Sequence, residues 1–537
     1  MQEPVYIIAY DVGTTGIKTC LYAIETGKVQ LIDAEMASYP LYILNNGGAE
    51  QDPEDWWKAL VNTTVSLAEK ANLLFNKIAG ISFCSQMQGL VLVDNNGKSL
   101  RRAMTYMDQR AGDEMRRVFK HGITIADINV YKLIVSIIET GAVSASAKDP
   151  VWKYLWVKRE EKEVYNKIYK WLDVKEYLIS RMTGSYVMTE DSAFAALIYN
   201  NRARNLTWSK KITHMLGVKE EHLPAIMKST DRAGKLLPEA AAELGLIAGI
   251  PVFGGGGDAS LIGVGAGAVA VGDTHIYTGT SGWVSTVVKK SMVDTGTMIA
   301  SIIGAQNDKY NYFAEMETAG KCLEWVKDNL ALDLLGIYSK SDLTCESTEN
   351  TYKNIYDHLT GISATVPPGS NGIIFTPWLH GNRCPFEDAQ VRSTFFNLGL
   401  GTGKAEMIRA VLEGICFHLR WMLEAQERKI RTSDTIRFVG GGALSDITCQ
   451  ILADITGRRI ETVSDPQNVG AAGAAIVAGI GLGIIESFPK SRDIIKPVKV
   501  FVPEPANRST YEKNYSVFRK LYKTNRKFFK VLNEQAL

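Results

Sequence analysis

Residues 5–18 read VYIIAYDVGTTGIK, and residues 275–288 read HIYTGTSGWVSTVV. Each stretch is a run of strand-forming residues, a tight loop rich in Gly and Thr, and a second apolar run. The first loop carries Asp11, Gly13, Thr14, Thr15, Gly16 and Lys18; the second carries Thr278, Gly279, Thr280, Ser281 and Gly282. Loops of this composition turn backbone N–H groups and small hydroxyls inward, which makes a concave nest for phosphate oxygens. Two such loops facing each other across a cleft grip one nucleotide polyphosphate from both sides, as a phosphotransferase or an ATPase requires. For the first loop alone, a plain β-hairpin with an exposed Asp and Lys is the competing reading.

A chain of 537 residues exceeds what one hydrophobic core usually serves, so two domains are expected. The hydrophobic share of 46% and the charged share of 22% are those of a globular protein. Sixty basic and 58 acidic side chains give a net charge of +2, which speaks against a nucleic-acid or acidic-membrane partner. The seven cysteines form no CxxC pair and no metal-ligand spacing, which suits a reducing cytosol. The N-terminus lacks the basic region of a secretory signal, and a cytoplasmic location is expected. The longest uncharged apolar run, Val469 to Ile485, holds five glycines and falls short of the ~20 residues that span a bilayer, so it reads as a buried helix.

Along the chain, strands are predicted at Val5–Tyr10, Thr19–Ile24, near Val29–Ala34 and at Ile78–Cys84, the last delivering Ser85-Gln86-Met87-Gln88-Gly89. Asp52 as N-cap and Pro53 at the first helical position open a helix over the following residues. Residues 150–182 read as helical and lead to Asp191-Ser192. Gly254–Gly257 and Asp258 end the first half, which places the boundary between a domain of residues 1–257 and one of residues 258–537. Met407, Ile408, Val411, Leu412, Ile415, Leu419 and Met422 recur at helical spacing and predict a helix over 404–426. A strand at Ile436–Val439 feeds Gly440-Gly441-Gly442-Ala443. The C-terminal stripe of Tyr511, Tyr515, Phe518, Tyr522, Phe529 and Leu532 reads as a docking helix with a solvated basic face, in preference to a membrane-surface helix.

Phosphoryl transfer needs phosphate cradles, a magnesium site and a base beside the acceptor hydroxyl. Asp11, at the loop mouth, is the carboxylate placed to face magnesium, which keeps most of its waters and needs little from the protein. Lys18 offers a point charge to phosphates. Asp258 is the candidate base: four glycines before it let the backbone approach a ligand closely, although a carboxylate at a helix start also serves as an N-cap. Gly441, Gly442 and Ala443 suit a flat adenine ring, and equally a tight strand-to-helix turn. No GxxxxGK[ST] loop, HExxH pair or Gly-x-Ser-x-Gly elbow in a strand–turn–helix context is present.

DVGTTGIK, EQDPEDWW, SQMQG, MDQRA, FGGGGDAS, YTGTSG, GNRCPFED, the 404–426 helix and VGGGALSD occur in the order found in the FGGY carbohydrate kinases. The chain resembles this family over essentially its whole length, and its xylulokinase branch most closely. The resemblance implies an α/β fold of two actin-like, ribonuclease-H-like domains with ATP and a sugar in the interdomain cleft. It further implies Asp258 as catalytic base and Asp11 as the carboxylate near Mg2+. Gly13, Thr14, Thr15, Lys18, Gly279, Thr280 and Ser281 then contact phosphates, and Gly441, Gly442 and Ala443 lie beside adenine. Met87 and Gln88, with Asp108 and Arg110 close by and Asp258 itself, would contact the sugar. Xylulokinases usually carry His where this chain has Gln88 and Asn where it has Ala259, so the sugar is open between a ketopentose such as xylulose and ribulose, erythritol, arabinitol or a related polyol. The rival from another class is an actin- or Hsp70-like ATPase without a sugar; a catalytically silent regulator is disfavoured by the intact Asp11 and Asp258. Assembly as a homodimer is compatible with the sequence.

Overall fold

The computed structural model describes residues 3–25, 27–71, 77–119, 122–125, 128–306, 308–330 and 348–533, without the side chains of 125 and 348–354; Thr26 of the first hairpin turn and Cys345 lie outside the described residues. Two mixed sheets dominate. The first contains β1 (Val5–Val12), β2 (Gly16–Glu25), β3 (Lys28–Ser38), β4 (Ile78–Ser85), β5 (Arg232–Lys235) and β6 (Pro251–Phe253), in the spatial order β3-β2-β1-β4-β6-β5. The second contains β7 (Thr274–Thr278), β8 (Gly282–Val288), β9 (Tyr310–Met316), β10 (Thr435–Val439), β11 (Arg459–Val463) and β12 (Pro497–Phe501), in the order β9-β8-β7-β10-β11-β12. Pairing runs antiparallel, antiparallel, parallel, parallel, antiparallel across both sheets. The repeat legible as two Gly-Thr loops is thus a repeat of six strands, with each loop joining the first two strands of its sheet.

Short alternating or continuously apolar runs explain these strands. β1 buries Ile7, Ile8, Ala9 and Tyr10 on both faces, as a central strand does, whereas the edge strand β3 alternates exposed and half-buried residues. The apolar periodicity at 404–426 gives a helix over Lys404–Glu427, buried along most of its length against the second sheet. The C-terminal helix, Arg508–Asn533, docks with Tyr511, Tyr515, Phe518 and Phe529 buried, while Leu532 at its end is exposed. Residues 150–182 are not one helix. Two helical pieces, Pro150–Glu160 and Lys162–Tyr165, are followed by a strand at Lys170–Leu172, and a new helix starts at Val174 behind the N-cap Asp173. The strand forms because Lys170–Leu172 pairs with Val91–Val93, a non-local contact that overrides local preference. No helix among the described residues is long and apolar enough to cross a membrane.

The two halves meet through helices α1 (Asp258–Gly265) and α2 (Val469–Gly481). α2 is built almost entirely of Gly, Ala, Val and Ile, and its small residues let it lie against β4, β1 and α1 together. A Cβ on Gly265 would sit 1.9 Å from the Val469 carbonyl oxygen, and one on Gly473 would sit 2.3 Å from the Leu261 carbonyl oxygen. The helices therefore touch backbone to backbone, which no larger residue permits. Gly473→Ala is expected to destabilise the protein by at least the ~1–3 kcal/mol typical of overpacking, read as a lower urea midpoint. An unchanged midpoint would show that the helices do not meet this closely.

Candidate active site

Both loops solve one problem in one way: they dispose of their carbonyl groups, which would repel an anion. In the first loop the Gly13 carbonyl accepts from the Tyr39 hydroxyl and from Gln86 Nε2 (3.2 Å), and the Thr14 carbonyl accepts from Gln51 Nε2 (2.7 Å). The Thr15 carbonyl accepts from the Tyr39 amide (3.3 Å), and the Gly16 carbonyl from the Gly13 amide (2.9 Å) and the Tyr39 hydroxyl (3.1 Å). In the second loop the carbonyls of Gly279 and Thr280 accept from the amides of Gly320 (2.8 Å) and Ala319 (3.0 Å), and that of Ser281 from Gly279 (2.9 Å). Thr15 and Thr280 are left exposed, and Thr14 and Ser281 half-buried. Each loop presents hydroxyls and positive backbone edges, the surface a phosphate seeks.

The loops face a common space. The phenol of Tyr277, at the end of β7, is held above its ordinary range by burial, with the carboxylates of Asp11 and Asp258 adding to it. The 440–443 turn packs on the second loop: Gly440, at φ 89°, brings its Cα so close that a Cβ would lie 2.4 Å from the Thr278 carbonyl oxygen. A Cβ on Gly442 would lie 2.0 Å from Thr278 Oγ1, whereas nothing stands within 4 Å of one on Gly441. Gly441 thus offers open, exposed backbone beside the second loop, and Ala443 is buried.

Asp11 and Lys18 are directly opposite in the β1–β2 ladder and share a face. Burial holds the Asp11 carboxyl above the usual range, partly offset by the Lys18 charge and by a hydrogen bond with the Cys84 thiol. Lys18 Nζ donates to the Gln467 carbonyl (2.9 Å), just before α2, so its ammonium joins the two halves as well as facing Asp11. A Cβ on Gly470 would come within 2.8 Å of Asp11 Oδ2. The carboxylate thus stands where both sheets and both joining helices converge. Among the described residues no group of three or more His, Cys, Asp or Glu gathers into a metal cage. One under-neutralised carboxylate beside phosphate loops fits a magnesium ion held mainly by water and phosphate oxygens.

Asp258 opens α1 at the floor of this space, its Oδ1 accepting from the Ala259 amide (2.7 Å). Burial, with the carboxylates of Asp11, Glu315 and Asp173 adding to it, pushes the Asp258 carboxyl up to about 7 against the relief of the Ala259 amide. The Met87 side chain takes the space a Cβ on Gly257 would claim, with Sδ 2.1 Å from that position. Gln88, in the left-handed region at φ 63°, has its carbonyl bound by Lys153 Nζ (2.9 Å). The structure therefore brings Met87 against the residue before Asp258, while the Gln88 Nε2 donates to the Ala195 carbonyl (3.5 Å).

Asp108 and Arg110 stand differently. The Asp108 carboxylate is fully buried, accepting from the amides of Ala49 (2.9 Å) and Arg110 (3.1 Å) and from the Arg110 guanidinium (2.7 Å). Arg110 also donates to Glu50 (2.6 Å) and lies 4.7 Å over the Trp156 ring. Their charges are spent on each other and on the wall. Sequence reasoning missed Tyr106, which accepts from Thr14 Oγ1 (3.4 Å) and is influenced by Glu315 and Asp258, and the pair of Glu315 with Arg383 (2.9 Å). GNRCPFED contains Arg383, but nothing local points to its partner on β9.

Residues 6–265 match the N-terminal domain model, and residues 275–482 the C-terminal domain model, of the FGGY family of carbohydrate kinases. A xylulose kinase of Bacillus subtilis (strain 168) is 30% identical over 521 residues, covering 96% of each chain. A gluconokinase of the same organism is 29% identical over 492 residues, covering 91% of this chain and 90% of the relative. The solved structure of a ligand-bound xylulose kinase from Lactobacillus acidophilus superposes with a TM-score of 0.80 at 27% identity, covering 97% of this chain and 98% of the other.

A carboxyl raised to about 7 leaves the folded protein holding a proton that the unfolded chain gives up near 4. Stability credited to Asp258 therefore falls as pH rises between those values. Asp258→Asn removes this penalty, so its melting temperature should exceed that of wild type by a margin near zero at pH 4, growing to pH 7 and level above. A margin independent of pH would contradict the strained environment assigned to Asp258.

Proposed function

The chain belongs to the FGGY family of carbohydrate kinases, and from that premise we propose that it phosphorylates a small neutral sugar, a ketopentose such as D-xylulose in the first place. A hydroxyl oxygen of the sugar attacks the γ-phosphorus, the bond to the β–γ bridging oxygen breaks, and ADP departs. The hydroxyl proton passes to the Asp258 carboxylate. The two loops hold the phosphates, and the open backbone at Gly441 receives adenine. Asp11 would hold Mg2+ through water, and the bound ion offsets charge on the β- and γ-phosphate oxygens. A base near neutrality combines the deprotonated form with useful proton affinity, which the raised Asp258 carboxyl supplies at physiological pH.

The observation that carries the choice of a neutral sugar is the state of the cations. Arg110 is committed to Asp108 and Glu50, Arg383 to Glu315, and Lys153 to the carbonyls of Gln88 and Thr105. Asp258, Glu315 and Asp173 give the surroundings a negative balance. Each of these three cations already has a partner, so the carboxylate of a sugar acid would have to compete for one. A hydroxyl-rich neutral molecule meets instead the Gln88 amide, which both donates and accepts. At position 259, where the xylulokinase resemblance leads one to expect an amide, Ala259 leaves room, and the Asn311 amide stands alongside, bound to the Ala259 carbonyl (3.1 Å). The free, buried state of the described cysteines supports a reducing, cytosolic setting.

The gluconokinase relative supplies the second reading, and an acceptor panel separates the two. ADP formation with MgATP is measured for D-xylulose, D-ribulose, erythritol, D-arabinitol and D-gluconate, and without acceptor. The expected order puts D-xylulose first, with gluconate lower in kcat/KM by at least about tenfold, as an unpaired buried charge demands. Asp258→Asn should lose about 10²–10⁴ in turnover while still binding ATP. Preference for gluconate would overturn the neutral-sugar reading. ADP release independent of acceptor would mark an ATPase.

A further inference from the structure

Behind the site lies a buried ionic cluster whose only part in the proposed chemistry so far is the charge that Asp173 adds at Asp258. Lys175 is fully buried, and its ammonium donates to Glu176, to Thr189 Oγ1 (2.7 Å) and to Ser192 Oγ (2.6 Å). Thr189 Oγ1 in turn donates to Asp191 Oδ1 (2.5 Å), which also accepts the Ser192 amide (2.9 Å). Asp173 caps the helix that carries Lys175 and feels its charge. Lys175, Glu176, Asp173 and Asp191 are all nine-tenths buried or more, and one cation faces three carboxylates. Such a cluster is costly to bury, and replacing it with apolar residues is often neutral or better for stability. Stability alone therefore does not account for it.

Two arms leave the cluster. Asp173 Oδ1 accepts the amide of Gly89 (2.8 Å), the residue after Gln88. Asp191 Oδ2 accepts the amide of Gly257 (2.7 Å), the residue before Asp258. Both fits are close: a Cβ on Gly89 would lie 2.6 Å from Asp173 Oδ1, and one on Gly256 would lie 3.0 Å from Asp191 Oδ2, so each aspartate would have to shift to admit a side chain. Between the arms, Met87 lies over Gly257. The sugar-side loop and the base loop are thus fixed by backbone amides to one buried cluster.

We propose that Asp191 and Asp173 are positioning residues, Asp191 setting the base loop at Asp258 and Asp173 the sugar loop at Gln88, with Lys175 as their shared counter-ion. This rests on the roles proposed above for Asp258 and Gln88. Asp191→Asn keeps the volume of the side chain, but its amide, turned toward Gly257, sets donor against donor and frees the base loop. Misplacement of a reacting group by about 1 Å costs up to about a hundredfold in rate. Asp173→Ala frees the Gly89 amide and loosens the sugar loop, which weakens binding without displacing the base.

The test uses the full-length protein and the best acceptor from the panel, with kcat, KM and calorimetric sugar binding in the absence of nucleotide. Asp191→Asn is expected to lower kcat by about ten- to a hundredfold, with KM and the sugar Kd within about threefold of wild type. Asp173→Ala is expected to raise KM and Kd together by about tenfold, with kcat within about threefold. If Asp191→Asn does not fold, Thr189→Val, which removes the hydroxyl that donates to Asp191 and accepts from Lys175 while leaving the Asp191 carboxylate on the Gly257 amide, should show the same pattern with a smaller fall in kcat. Lower melting temperatures with kcat and Kd unchanged, or identical losses from both variants, would reduce the cluster to a structural role and overturn the proposal. Asp258→Asn, run in parallel, keeps the two ideas apart: normal turnover there removes the base assignment, while the split between the aspartates still reports on the cluster.

Discussion

The geometry of the site rests on the closeness of two helices. α1 begins with Asp258 and α2 begins beside Asp11, and the helices meet where Gly265 and Gly473 lie against carbonyl oxygens of the other helix. Larger residues there would push the helices apart and carry Asp258 away from Asp11. Gly470 repeats the constraint at the carboxylate itself, where a Cβ would reach Asp11 Oδ2. A contact made by the smallest residues is what holds Asp258, at the end of the first repeat, in the same space as Asp11 at its beginning.

Electrostatics then follows from packing. Burial lifts both carboxyls above the usual range, and the charge of Asp11 adds to the shift of Asp258. Left alone, that arrangement is a liability, which a divalent ion bound there under the proposed function would relieve. The loops complement it from the other side. Their carbonyls are turned back onto Tyr39, Gln51 and Gln86 in one repeat and onto the amides of Ala319 and Gly320 in the other. The same polarity is reached by side chains in one half and by backbone in the other, which separates the constraint from the particular residues that satisfy it.

What the sequence disclosed divides along physical lines. The Gly-Thr loops, the helix at Lys404–Glu427 and the buried run from Val469 were legible because their signals are local: composition, apolar spacing and charge. The strand at Lys170–Leu172 was hidden because only its distant partner, Val91–Val93, makes it a strand. Asp108 and Arg110 were placed beside the sugar only by the family resemblance, and their engagement with Glu50 and Trp156 depends on residues far along the chain. The tying back of the loop carbonyls, the Glu315–Arg383 pair and the cluster around Lys175 escaped for the same reason. Residue type revealed the chemistry available, and only the fold revealed which groups were already spent.

The central claim is direct transfer of a phosphoryl group from ATP to a sugar hydroxyl, with Asp258 taking the proton. ATP made chiral at the γ-phosphorus with oxygen isotopes, followed into product, tests that claim most directly. The label should appear in sugar phosphate with inverted configuration at phosphorus, the mark of a single in-line displacement. Retention of configuration would demand a phosphorylated protein intermediate, and label collecting in inorganic phosphate would demand water as acceptor; either result contradicts the account.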